Sequence, residues 1–241
     1  TAWYAREFYV PRDWNTRLAL IGFEGVNYKA KVWVNGAYLG EHEGGFTPFA
    51  FRAETALKFG EPNRVAVMVD DTLTKKTVPP GEGMNQTYFD FFQYGGIQRE
   101  VYLMSVPKLH IKDVTIRTDI QGNDGVVDID VTVLNGHDAR LFCKLTLQVF
   151  DEGAVTPEKP VRVMIAPKSE KTINDRILIR AAEFWSVESP HLYTLRTSVS
   201  YEETEADMKD TRFGIRTVRV EKGKILLNGR PVFLKGCCRH E

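Results

Sequence analysis

Cysteine is nearly absent, with three in 241 residues, at positions 143, 237 and 238. An odd count with two adjacent members makes a poor disulfide framework, and unpaired thiols favour a reducing compartment over a secreted one. Histidine is scarce too, five in all, and no Cys or His pair stands at metal-ligand spacing. His42-Glu43 and His240-Glu241 open like a zincin motif, but neither has a second histidine four positions after the first. No run of about 18 apolar residues occurs, which argues against a membrane-spanning helix. Charge of either sign is not in excess: 32 basic and 32 acidic residues leave a formal net charge of zero. The lack of a basic stripe argues against nucleic acid as the main partner. Helical periodicity is missing as well; residues 55–59 offer a single turn at most.

What is present is period-two alternation. Tyr28, Ala30, Val32 and Val34 share one face, and Lys29, Lys31 and Trp33 share the other. Asn35-Gly36 follows at once, the strongest short signal for a hairpin. Val65, Val67 and Val69 alternate in the same way. So do Val127 to Val133 on odd positions, Leu141 to Val149 on odd positions, and Tyr193 to Tyr201 on odd positions. Gly44-Gly45, Pro79-Pro80-Gly81, residues 122–125 and Asn228-Gly229 punctuate these runs. Many short strands with regular turns predict an all-β chain of sandwich domains.

A boundary is expected near Pro107. Before it the strands are separated by long, aromatic and Gly-rich loops, of which residues 41–49 are one. After it about seven compact strands run to about Val220, the size of one immunoglobulin-like sandwich. Residues 151–160 read as a polar hairpin connection. A third piece is predicted from about Glu221, where residues 225–227, Asn228-Gly229 and residues 232–234 spell a hairpin. Both ends read as cuts, because strand-like sequence starts at Trp3 and an apolar run lies just before residue 241. The expectation is a fragment of a larger protein.

Residues 88–97 read YFDFFQYGGI. Five of the ten are aromatic, and one carboxylate, Asp90, sits among them. Aromatic faces serve core packing and sugar stacking alike. A lone acid there needs hydrogen-bond partners or a ligand. The stretch is either an unusual core strand or the lip of a binding site.

Several stretches together resemble the N-terminal part of glycoside hydrolase family 2, the group of β-galactosidases, β-glucuronidases and β-mannosidases. They are residues 3–8 (WYAREF), 32–36 (VWVNG), 39–49 (LGEHEGGFTPF), 95–99 (GGIQR), 185–195 and 213–216 (FGIR). Within the family, residues 88–97 look most like β-glucuronidase. The resemblance implies a jelly-roll sugar-binding domain over 1–108 that lacks its first strands. An immunoglobulin-like β-sandwich over 109–219 would follow, and then, over 220–241, the first strand of a (β/α)₈ barrel that is otherwise missing. It implies a retaining hydrolase of terminal β-glucuronides, a carbohydrate substrate, no cofactor, and a homo-oligomeric full-length enzyme.

Retaining glycosidases use two carboxyl groups about 5 Å apart. In the family both are glutamates on the barrel, so no catalytic residue is assigned in this chain, and the fragment alone is expected to be inactive. The resemblance gives substrate-binding roles to Asp90, reaching over the barrel mouth to sugar hydroxyls, and to His240. Glu241 would be a structural partner of a neighbouring base. Gln93 stands where β-glucuronidases commonly have Asn, and Cys238 where the family pattern has Asn. Glu41/Glu43, Asp70/Asp71 and Glu202/Glu203 are expected to be solvated or turn-capping acids. Adjacent acids on a strand point to opposite faces, whereas Glu41 and Glu43 share one if that stretch is extended. Trp185 and Tyr193 are expected to anchor the second domain's core. Cys237 and Cys238 are expected to be buried at a strand end. Two other readings stay open: a β-galactosidase of the same family, and a free-standing carbohydrate-binding module.

Overall fold

The computed structural model describes residues 1–78 and 94–238. Its elements fall into two compact units, Thr1–Val106 and Pro107–Gly236. Among the described residues there is no α-helix.

The first unit is built from β1 (Ala2–Tyr9), β2 (Leu18–Phe23), β3 (Val26–Asn27), β4 (Lys29–Val34), β5 (Ala37–Glu43), β6 (Phe49–Arg52), β7 (Pro62–Asp70), β8 (Gly96–Ile97) and β9 (Val101–Val106). One sheet has the order β1-β7-β4-β5, a second has β6-β2-β9, and β3 pairs with β8. Alternation decides what each sheet buries. Ala30, Val32 and Val34 are fully buried on β4, facing Val65, Val67 and Val69 of β7 in the same core. From the second sheet Ala19, Ile21 and Phe23 close that core. This is the jelly-roll sandwich.

Asn35 and Gly36 both adopt positive φ, 50° and 84°, as a tight hairpin between β4 and β5 requires. The turn is tied down from outside the hairpin. Asn35 Nδ2 donates to Ala56 O at 2.8 Å and to Asn63 Oδ1 at 2.7 Å, while Asn35 Oδ1 accepts from Arg64 N at 2.9 Å. A short 3₁₀ turn, Arg12–Thr16, joins β1 to β2 and was not foreseen. Residues 41–43 were expected in a loop but continue β5. Glu41 and Glu43 sit opposite Lys31 and Lys29 and pair with them, at 3.7 and 2.9 Å. Opposite charges across a ladder favour the extended register.

The second unit contains β10 (Leu109–Gln121), β11 (Asp124–Asn135), β12 (Leu141–Phe150), β13 (Lys159–Ile165), β14 (Ser169–Ile179), β15 (Tyr193–Tyr201) and β16 (Thr204–Phe213). Sheets β10-β11-β14 and β13-β12-β15-β16 enclose one core of the immunoglobulin-like type. Leu145, Leu147 and Leu195 are fully buried in it, and Cys143 and Tyr193 nearly so. Truncating one of these leucines to Ala costs about 2–5 kcal/mol. Asn135 is fully buried yet satisfied: its Nδ2 donates to Ala139 O, Ile165 O and Ala166 O, and its Oδ1 accepts from His137 N.

Three short strands complete the unit, β17 (Val218–Glu221), β18 (Lys224–Leu227) and β19 (Arg230–Pro231). The hairpin at Asn228-Gly229 forms, but its second strand is only Arg230–Pro231, not residues 232–234. Pro231 has no N–H to give; one further bond, Val232 N to Ile225 O at 2.9 Å, ends the ladder. Phe233 and Leu234 stand 85% and 69% exposed.

Candidate functional site

The two residues singled out for sugar contact, Asp90 and His240, lie outside the described residues, as do Gln93 and Glu241. The described residues that flank 79–93 are informative. Both converge on one dipeptide, Asn27-Tyr28. Before the segment, Val78 N donates to the Tyr28 hydroxyl at 3.3 Å. After it, the Asn27 amide donates to Tyr94 O at 2.7 Å, and the Gln98 amide donates to the same carbonyl. The β3–β8 bridge then pairs Asn27 with Gly96 and Val26 with Ile97.

Asn27 is fully buried, so its amide must be satisfied inside the protein. Tyr28 is held through its backbone, donating to Asp70 O at 3.3 Å and accepting from Gly44 N at 2.9 Å. Two glycines make room. A side chain at Gly45 would place its Cβ 2.4 Å from Asn27 Oδ1. Gly96 has φ of 105°, and a Cβ there would meet the Tyr4 hydroxyl at 2.5 Å.

The neighbouring acids are engaged in local contacts. Asp70 accepts from Thr72 N at 3.1 Å and from the Thr72 hydroxyl at 2.7 Å, and these bonds hold its carboxyl below the ordinary range. The Glu43 carboxylate raises the pKa of Lys29 in turn. His42 stacks on Phe49 at 4.2 Å and shares a 3.1 Å hydrogen bond with the Thr47 hydroxyl. Glu202 and Glu203 occupy the turn between β15 and β16 at positive φ, off the strand where adjacency was to separate them. Among the described residues no group of three or more His, Cys, Asp or Glu could hold a metal.

Two further expectations are divided or corrected, and one residue escaped the sequence reading. Tyr193 lies in the core of the second unit, but Trp185 does not; it is half-buried at the margin, with the Arg216 guanidinium 4.9 Å over its ring. Cys237 and Cys238 are exposed and belong to no strand, so they are not buried residues at a strand end. Asn27 was missed. A polar side chain between Val26 and the alternating run from Tyr28 was its only signal in the sequence.

Two family models match the chain in tandem: "Glycosyl hydrolases family 2, sugar binding domain" over residues 1–107, and "Glycosyl hydrolases family 2" over 109–216. A β-glucuronidase of Paenibacillus borealis is 32% identical across 99% of this chain and 40% of its own length. A rat β-glucuronidase is 31% identical across 99% of this chain and 38% of its own length. Of solved structures, Bacteroides uniformis β-glucuronidase 2, covalently bound to cyclophellitol-6-carboxylate aziridine, superposes with a TM-score of 0.87 at 25% identity. It covers 99% of this chain, which covers 29% of it. A Ruminococcus gnavus β-glucuronidase in complex with D-glucaro-d-lactam superposes at 0.81 with 30% identity over 97% of this chain and 39% of its own. The chain thus spans about 40% of the length of these two curated relatives. With both models matching in tandem and the two sandwiches in the corresponding order, this chain belongs to glycosyl hydrolases family 2.

Proposed function

We propose that this chain is the N-terminal, non-catalytic part of a retaining glycoside hydrolase that removes terminal β-D-glucuronic acid from conjugates or oligosaccharides. One observation carries the reading: bacterial and mammalian β-glucuronidases align with 99% of the chain at about 30% identity. In this reading 1–108 is the sugar-binding jelly roll, 109–219 the immunoglobulin-like sandwich, and 220–241 the entry to a barrel that carries both catalytic glutamates. The hydrolase would act as a homo-oligomer.

Asp90 is the contribution of this chain to the sugar site. An ionised carboxylate accepts from two hydroxyls at once, which suits a pyranose edge. Supporting this reading, the described residues on either side of 79–93, Val78 and Tyr94, are hydrogen-bonded to two adjacent residues, Tyr28 and Asn27. His240 would stand at the end of the first barrel strand, where functional groups of such barrels cluster.

A second reading, β-galactosidase, is favoured by a Thermoanaerobacter pseudethanolicus β-galactosidase 33% identical over the whole chain. The test is turnover by the full-length protein of p-nitrophenyl β-D-glucuronide against the matching β-D-galactoside. Preference for the glucuronide, lowered by Asp90→Ala without loss of fold, is expected. Preference for the galactoside transfers the assignment to the second reading. Unchanged glucuronide kinetics in Asp90→Ala removes Asp90 from the site.

A further inference from the structure

The outer face of the β13-β12-β15-β16 sheet sorts its charges by sign at the end where β12 starts and β15 stops. Leu141, Cys143 and Leu145 point inward, so Phe142 and Lys144 point out. Phe142 stands opposite Met164 of β13, and the two are 71% and 42% exposed. In the next outward row Arg162 of β13 is opposite Lys144, Lys144 is opposite Ser200 of β15, and Ser200 is opposite Glu205 of β16. The turn between β15 and β16 adds Glu202, which takes a hydrogen bond from Tyr201, and Glu203. Phe142, Lys144, Arg162, Met164, Glu202 and Glu203 line one depression.

Like charges directly opposite destabilise a ladder. Lys144 and Arg162 bear that cost, and among the described residues neither makes an ion pair; nor do Glu203 and Glu205. Two more cations flank the β12–β13 side: Arg140, and Lys171, whose ammonium donates to Met164 O at 3.4 Å. The three glutamates are all on the β15–β16 side. Toward the other end of the face Arg196 pairs with Asp210 at 2.7 Å, Arg212 stands opposite Thr194, and Glu158 precedes β13. A polyanion or a polycation laid over the Phe142 end meets attraction on one side and repulsion on the other. The same patch on a second copy, turned over about an axis along the strands, meets attraction on both sides.

We propose that the Phe142 end of this face is a two-fold interface between copies of this chain, with Lys144 and Arg162 of one copy against Glu203 and Glu205 of the other. The axis runs between β12 and β15, which sets cations over anions twice. It also lies beside Phe142, so both copies of that ring leave water together. The interface rests on the homo-oligomer proposed above and gives it a surface.

The test is sedimentation velocity of the full-length protein. The double variants Lys144→Glu/Arg162→Glu and Glu203→Lys/Glu205→Lys should each halve the mass of the assembly. Their circular-dichroism spectra should be unchanged, because all four side chains are exposed. An equimolar mixture of the two should restore the parent's mass, since each reversed patch then faces one of opposite sign. Phe142→Ser should raise the dissociation constant about tenfold, the scale of one lost ring contact. A parent that sediments as a monomer overturns this interface together with the homo-oligomer. Double variants that assemble as the parent does overturn the interface alone. Variants that dissociate singly and stay apart when mixed overturn it too, because the charges then act within one copy.

Discussion

Replacing Asn27 by Ala removes the donor that joins β3 to the carbonyl of Tyr94. The site is fully buried, and the bond is 2.7 Å long. A buried hydrogen bond contributes roughly 1 kcal/mol, and leaving its partner short of donors costs roughly 1–3 kcal/mol. The Gln98 amide still serves the Tyr94 carbonyl, which reduces that second cost. We expect a loss of about 1–2 kcal/mol in the unfolding free energy of the full-length protein, read by urea denaturation. Asn27→Asp should cost more. It keeps the size, loses the donor, and sets a carboxylate where Asn27 Oδ1 already lies 2.4 Å from the space a Gly45 side chain would take. If Asp90 touches the sugar, the kinetic effect should exceed the thermodynamic one. Misplacement by about 1 Å can cost about 100-fold in rate. A glucuronide assay would then show kcat/KM falling in Asn27→Ala while Tyr28→Phe, which lacks the Val78 contact, shows a smaller loss. Full stability together with wild-type kinetics in Asn27→Ala would refute the reasoning.

Asn63→Ala should lose about 2–4 kcal/mol in chemical denaturation, because this nearly buried side chain serves Asn35, Lys58 and Glu61 through four hydrogen bonds. A cost under about 0.5 kcal/mol would mean water replaces them. Gly45→Ala should destabilise at least as much as Asn27→Ala, since its Cβ meets a buried amide that cannot retreat; an unchanged thermal midpoint would contradict this. The pair Asp128–Arg176 gives a pH dependence. Hydrogen bonds from Arg176 lower the Asp128 pKa from 3.8, so its stabilisation is complete above that value and lost as pH falls through the lower folded one. The unfolding midpoint should fall at acid pH less steeply in Arg176→Met than in the parent; parallel acid limbs would show that the pair contributes nothing. The 241-residue chain alone should show no glycosidase turnover, and any rate above a mock preparation would place catalytic carboxylates within it.

Where local pattern and tertiary need coincide, the sequence was sufficient. Tyr28, Ala30, Val32 and Val34 read as one face and are buried as one face, because a strand covered on one side must alternate. Asn35-Gly36 read as a turn because few other residues accept positive φ twice in succession. The failures are residues whose surroundings come from far along the chain. Asn27 owes its importance to Tyr94, 67 positions away. Residues 232–234 looked like a strand because they are apolar, but apolarity gives no ladder without a partner. Trp185 looked like a core residue because it is large, yet its ring is matched to the Arg216 guanidinium at the margin. Arg12–Thr16 is too short for any helical period to register. Asp90 and His240 rested on resemblance, since an acid among aromatics carries no local sign of what it faces.

Asn27 and Tyr28 are covalent neighbours, and each holds the chain at one side of residues 79–93. The two points where the described chain meets residues 79–93 are therefore fixed by neighbouring residues of the first sandwich. Lengthening a closed span is inexpensive in chain entropy, about 0.6 kcal/mol for each doubling. Such a mount separates evolvability from stability. Exchanges within residues 79–93 leave these two anchoring bonds in place, whereas an exchange at Asn27 removes one of them and Tyr28→Phe the other. For engineering, the natural unit of transplantation between relatives would be the span cut at these two points, with Asn27 and Tyr28 kept in the recipient.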